Sequence, residues 1–161
     1  MVISTFLSLS IIGIIVITLS KKKIHKFGLI LLFLLTEFFF TNYFAIIHTN
    51  YSYVEVSAKP EDYLVYQIFE MVLLPVLVFI TISYTSFLKS VFTKGLFVIL
   101  LAGVLCSLEY TLLLLNIIKY KEWHLVYSFL AYTLIYLVLL WIIYGFQKLL
   151  TNEGMVKHDS S

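Results

Sequence analysis

The sequence predicts an all-α membrane protein, a single bundle of five transmembrane helices that occupies residues 1–161. Composition is the first reason, because 61% of the residues are hydrophobic and only 12% are charged, far from the balance of a soluble domain. The second reason is the spacing of the charges, which leaves five apolar segments long enough to cross about 30 Å of hydrocarbon. The connections between them are too short to form a separate soluble domain.

Charged or polar residues bound each apolar segment. The predicted helices span about residues 2–20, 27–48, 63–84, 95–118 and 124–147, and a polar cytoplasmic tail follows at 148–161. The first segment has no basic region before its apolar run and no cleavage-site pattern, so we expect a retained helix rather than a signal peptide.

Two prolines mark the third segment. Pro60, followed by Glu61 and Asp62, is typical of a first helical turn, where proline is tolerated and acids suit the positive end of the helix dipole. Pro75 lies inside the same helix, and we expect it to kink the helix by removing one backbone hydrogen bond.

Lysine counts predict the orientation, because cytoplasmic loops of membrane proteins carry an excess of basic residues. The chain has no Arg, and an outside N-terminus leaves only Lys59, Lys119 and Lys121 on the outer side. The other lysines are then cytoplasmic: Lys21, Lys22, Lys23, Lys26, Lys89, Lys94, Lys148 and Lys157. We therefore expect the N-out, C-in orientation. Tyr43, Tyr120 and Trp123 are expected in an outer belt of interfacial aromatic residues.

Three glutamates are the main functional candidates. Glu37, Glu70 and Glu109 lie in different apolar segments, none of which contains a Lys or Arg to pair with them. A carboxyl group at mid-membrane costs about 3 kcal/mol on insertion scales, so it indicates a functional site by default. Their depth, counted along the helices, is between the midplane and the outer leaflet. We expect helices two to five to surround one polar cluster whose carboxyls are mostly protonated unless a cation is bound.

Helical spacing supplies the companions of the three acids. The predicted members of the cluster are Glu37, Glu70, Glu109, Asn116, Thr41, Gln67 and Tyr132. His48 and His124 are candidate ligands at its outer edge, because imidazole and carboxylate groups bind metals. Interfacial histidines without such a role are commoner, and the identity of any metal stays open.

Signatures of catalysis are missing. The chain has no H-E-x-x-H, no E-x-x-H, no G-x-S-x-G and no Gly-rich phosphate loop, so we expect no enzyme activity and no cofactor. A single cysteine, Cys106, excludes an intramolecular disulfide. The expected partners are the lipid bilayer and either a second copy of the chain or another membrane protein, and no nucleic acid.

One group of residues resembles a known family. Phe69 and Glu70 form an aromatic-Glu pair with Pro75 five residues after the Glu, and Glu109 and Trp123 follow in the next helix and loop. This pattern is similar to small multi-helix membrane proteins of unknown function from spore-forming, low-GC Gram-positive bacteria. The resemblance covers about residues 63–127 and implies a bacterial plasma membrane, but no activity.

The residues leave three functions open. The first is a structural or interaction component of the bacterial cell envelope, in which protonated glutamates fix helix packing. The second is a small proton- or cation-coupled carrier or channel component that uses the glutamate cluster. The third is an immunity or resistance protein that intercepts a partner in the membrane.

Overall fold

The computed structural model describes residues 2–19, 24–85, 88 and 90–153. Lys21, Lys22, Lys23, Lys89 and the part of the predicted tail beyond Glu153 lie outside the described residues. Within the described ranges, five helices are long and apolar enough to cross a membrane, which confirms the predicted architecture. They are α1 (Val2–Leu19), α2 (Lys26–Asn50), α3 (Pro60–Thr85), α4 (Val91–Leu114) and α5 (Leu125–Asn152).

The start of α3 follows the sequence prediction. Pro60 is in the first turn together with Glu61 and Asp62, where its missing N–H costs nothing. The Ser57 hydroxyl donates a hydrogen bond of 2.7 Å to Oδ2 of Asp62. The segment that precedes α3 is thereby tied to the first turn of the helix.

Pro75 is preceded by a local change of helix type. A π-helical turn runs from Phe69 to Leu73, and α-helical geometry resumes at Leu74. The turn shifts the hydrogen-bond register immediately before Pro75, which has no N–H to donate. Glu70 belongs to this turn. The last turn of α2, Ala45–Asn50, is also π-helical.

Helix α4 begins at Val91 and ends at Leu114, whereas the sequence predicts about 95–118. The cause of the early end is Asn116, which adopts the left-handed conformation with φ of 57°. The N–H groups of Asn116 and Ile117 bond back to the carbonyls of Leu113 and Leu112, each at 3.0 Å. This is a Schellman cap, and Asn is one of the few residues other than Gly that tolerate its left-handed position.

A two-stranded antiparallel sheet joins two of the interhelical loops. Strand β1 (Val54–Val56) follows α2, and strand β2 (Ile118–Tyr120) follows α4; Val54 pairs with Tyr120. The sequence pattern does not predict this sheet, and it places Ile118 at the end of the fourth helix. The sheet puts both loops at one end of the bundle, which we call the sheet end.

Helices α2, α3, α4 and α5 form a ring in which each contacts its two neighbours, and α1 packs along α3 outside the ring. Gly13 of α1 is buried against α3, and a Cβ added there would collide with the Val76 side chain. Small residues permit such close approach of membrane helices.

We predict that Gly13→Ala lowers the free energy of unfolding by about 1–3 kcal/mol, because a branched Val76 has little room to move away from an added methyl group. Gly103→Ala is the matched control, since an added Cβ meets nothing within 4 Å at that position. Thermal unfolding in detergent micelles measures both variants. Equal unfolding midpoints for the two would contradict the close contact between α1 and α3.

Candidate functional site

Glu109 is the centre of a buried hydrogen-bond network. Its side chain is on α4 with a relative exposure of 2%, and its carboxyl accepts from three hydroxyl groups. Tyr120 and Ser128 donate to Oε1 at 2.6 and 2.8 Å, and Tyr132 donates to Oε2 at 2.8 Å. The donors come from β2 and from α5, so one carboxyl connects a helix, a neighbouring helix and the sheet.

Ser128 extends the network to a third helix. Its hydroxyl accepts from the indole Nε1 of Trp123 at 2.8 Å and from the hydroxyl of Tyr43, on α2, at 3.3 Å. The Tyr43 ring lies 5.6 Å from the Tyr132 ring and 6.3 Å from the Trp123 ring. Tyr43, Tyr120 and Trp123, which the sequence predicts in an interfacial belt, are therefore part of the hydrogen-bond network around Glu109.

Hydrogen bonding and burial act in opposite directions on the charge of the Glu109 carboxyl. Five donor groups make five hydrogen bonds, and each bond uses the donor's own proton. A proton on Glu109 would be a sixth, and it would leave one hydroxyl or carboxyl proton without an acceptor in this network. A buried donor left unpaired costs about 1–3 kcal/mol. These hydrogen bonds to the charged form oppose the burial that favours the neutral form expected from the sequence.

Tyr120 lies in the sheet, outside the five helices. Burial, together with the nearby Glu109 carboxyl, raises the pKa of the Tyr120 hydroxyl above its usual value. Tyr120 therefore keeps its proton at neutral pH and remains a hydrogen-bond donor to Glu109.

Glu37 and Glu70 form a second polar group, separate from the Glu109 network. Glu70 lies in the π-helical turn of α3, within hydrogen-bonding reach of the Tyr66 hydroxyl and close enough to Glu37 of α2 for electrostatic interaction. Oε1 of Glu37 is buried and has no hydrogen-bond partner among the described residues. Tyr66 is close enough to both Glu70 and Glu109 for electrostatic interaction.

The remaining predicted cluster residues have other surroundings. Thr41 is exposed on the side of α2, and Asn116 is exposed in the cap of α4. Gln67 is half-buried, and no hydrogen bond from its side chain to either acid group is described. The seven predicted residues are therefore divided among two polar groups and the surface, and among them only Glu109 and Tyr132 hydrogen-bond directly to each other.

The two candidate ligands lie at the sheet end. His48 is half-buried, with its ring 5.9 Å from the Phe44 ring and 5.1 Å from the Tyr66 ring. His124 is exposed, and its ring contacts Tyr127 at 5.6 Å. Among the described residues, no three His, Cys, Asp or Glu side chains are grouped closely enough to hold a metal ion. A metal site at these histidines stays a prediction.

A polar cleft of about 780 Å³ opens at the sheet end. Strands β1 and β2, the start of α3 and the ends of α2 and α4 surround it. Its charged and polar lining residues are His48, Thr49, Ser52, Glu55, Ser57, Lys59, Asp62, Asn116, Lys119 and Lys121. The sequence pattern does not predict this cleft, because its lining comes from two loops that are far apart in the chain.

Comparison with known proteins gives no match to a protein-family model, to a curated protein or to a solved structure. The resemblance to small membrane proteins of Gram-positive bacteria therefore stays a prediction. The site must be interpreted from its own chemistry.

We predict that Glu109→Gln lowers the free energy of unfolding by about 1–3 kcal/mol. An amide has one oxygen where the carboxylate has two, so at least one of the three hydroxyl groups meets an N–H donor and loses its acceptor. Glu122→Gln, at an exposed position of the loop between α4 and α5, removes the same charge without changing a buried hydrogen bond. Thermal unfolding in detergent micelles measures both variants. An equal decrease in the free energy of unfolding of the two variants would contradict the stabilising role of the network.

Proposed function

We propose that the protein is an interaction component of a bacterial plasma membrane, a multi-pass helical scaffold that holds a polar cleft at the sheet end for contact with another molecule. This proposal rests on the hydrogen bond that attaches one wall of the cleft to the buried Glu109 carboxyl. Tyr120 bonds to Glu109 from a strand position between Lys119 and Lys121, both of which line the cleft.

Rigidity is the physical link between the network and the cleft. A three-residue strand pair is too short to be stable by itself. Here the Tyr120–Glu109 hydrogen bond attaches β2 to α4. Backbone hydrogen bonds from Lys121 to Tyr53 and from Ser57 to Ile117, each of 2.8 Å, extend the pairing of β1 with β2. The exposed Lys121–Glu55 ion pair adds little. A binding surface that is ordered in advance loses less entropy when its ligand binds.

The proposed orientation is N-out and C-in, with the sheet end on the outer side. It rests on the excess of lysines at the opposite end of the bundle. The three lysines of the loops at the sheet end then line the outer cleft, where they meet extracytoplasmic molecules.

We predict that a photo-crosslinking amino acid in place of Ala58, which lines the cleft and is exposed, gives a discrete adduct in native membranes. The same amino acid in place of Glu122, exposed at the sheet end but outside the cleft lining, is the matched control. The adduct at position 58 should disappear when Lys119→Glu reverses a charge of the cleft. The same adduct at positions 58 and 122 would contradict the proposed function. So would an adduct at position 58 that persists in the Lys119→Glu variant.

A second candidate function is proton or cation coupling at Glu37 and Glu70. The specific observation is the buried Oε1 of Glu37, which has no partner among the described residues and lies near a second carboxyl group. Unsatisfied buried polar atoms are rare in proteins, and intramembrane acids mark ion and proton pathways. The Glu109 network lacks such an atom, so it does not favour this function.

For this second function we predict that Glu37→Gln and Glu70→Gln each abolish proton or cation flux in proteoliposomes, because glutamine cannot ionise. Glu122→Gln should keep full flux. A pH-sensitive dye inside the vesicles, or a tracer cation, provides the measurement. Wild-type flux no greater than that of protein-free vesicles, or full flux in both glutamine variants, would exclude the coupling role.

A further inference from the structure

The charges of the cleft are only partly paired. Lys121 forms an ion pair with Glu55, and Asp62 accepts a hydrogen bond from Ser57. Lys59 and Lys119 also line the cleft, and within the described ranges of the chain neither has a carboxylate at ion-pair distance. Lys119 is directly opposite Glu55 in the strand register, so Glu55 is shared between Lys119 and Lys121. The lining has three lysines and two carboxylates, a net charge of +1, which favours an anion.

His48 adds a hydrogen-bonding group to the cleft lining. Nδ1 of its ring is buried and has no partner among the described residues. A neutral imidazole has one donor and one acceptor nitrogen. In the tautomer that has its proton on Nε2, Nδ1 can accept a hydrogen bond from a ligand, as the Asp62 carboxylate can.

The cleft lies where two of the candidate membrane-spanning helices end. Helices α2 and α4 end at Asn50 and Leu114, and the lining residues Thr49 and Leu115 are at these ends. Leu115 is exposed, so apolar surface adjoins the polar lining. Lipid headgroups occupy this level, and lysines near a membrane surface attract anionic headgroups by about 1 kcal/mol each.

We infer that the cleft binds a phosphodiester or phosphate ester that carries hydroxyl groups. Lys59 and Lys119 neutralise the phosphate, and the ligand hydroxyls donate to Nδ1 of His48 and to Asp62. The cleft volume of about 780 Å³ is within the usual range for small-molecule sites. The same chemistry occurs in the headgroup of phosphatidylglycerol and in soluble glycerol phosphate. This inference rests on the proposed function and names its ligand.

The test uses the full chain in nanodiscs. In the lipid arm, native mass spectrometry counts phosphatidylglycerol bound to protein that is released from mixed phosphatidylcholine and phosphatidylglycerol discs. In the soluble arm, glycerol phosphate is titrated into protein in phosphatidylcholine discs. Lys59→Gln and Lys119→Gln should each weaken binding about fivefold, the equivalent of about 1 kcal/mol. Lys26→Gln, an exposed lysine at the opposite end of α2, should leave binding unchanged.

A second variant tests the role of the ligand hydroxyls. His48→Phe keeps a ring beside Phe44 and Tyr66 but removes one of the two acceptors, so it should weaken binding in the arm that shows it. Binding in either arm with this variant pattern supports the inference and identifies the source of the phosphate. No binding in both arms, or equal weakening by Lys26→Gln and Lys119→Gln, overturns it.

Failure of the inference is distinguishable from failure of the proposed function. A protein adduct at position 58 without phosphate ligand binding would overturn the inference and leave the interaction function standing. Absence of any cleft-specific adduct at position 58 would instead overturn the proposed function.

Discussion

The fold depends on how a carboxyl group is kept inside a bundle of apolar helices. Three hydroxyl groups donate hydrogen bonds to the Glu109 carboxyl, and no basic residue among the described residues pairs with it. Interhelical hydrogen bonds in membranes contribute modestly one at a time, but a shared acceptor requires all of its donors to be in place together. Because the donors come from α5 and β2, and Tyr43 of α2 joins through Ser128, one acid sets the relative positions of three helices and the sheet.

The two acidic groups differ in how well their polar atoms are satisfied. The Glu109 network is complete, so it has little capacity to take up a proton without losing a hydrogen bond. Glu37 has a buried oxygen without a partner among the described residues, beside Glu70 in a π-helical turn. Such turns occur often at functional sites. The two groups therefore differ in the number of polar atoms that have a partner, although both contain buried carboxyl oxygens.

The sheet end depends on the buried network for its order. Its strands are too short to persist alone, and the hydrogen bond from Tyr120 to Glu109 attaches them to the helices. The strand register puts Glu55 opposite Lys119, and Glu55 also pairs with Lys121. The sheet that Tyr120 attaches to Glu109 therefore determines how the charges of the cleft are arranged.

The sequence alone determined the five helices and the first turn of α3, because hydropathy and the constraints of Pro60 act over a few neighbouring residues. It also identified Glu109 and Tyr132 as polar members of the interior. Only the tertiary structure decided that Glu37 and Glu70 are separate from Glu109, that Asn116 caps α4, and that the two loops pair. These outcomes depend on contacts between segments far apart in the chain, for which helical periodicity contains no information, and on a left-handed residue that hydropathy does not detect.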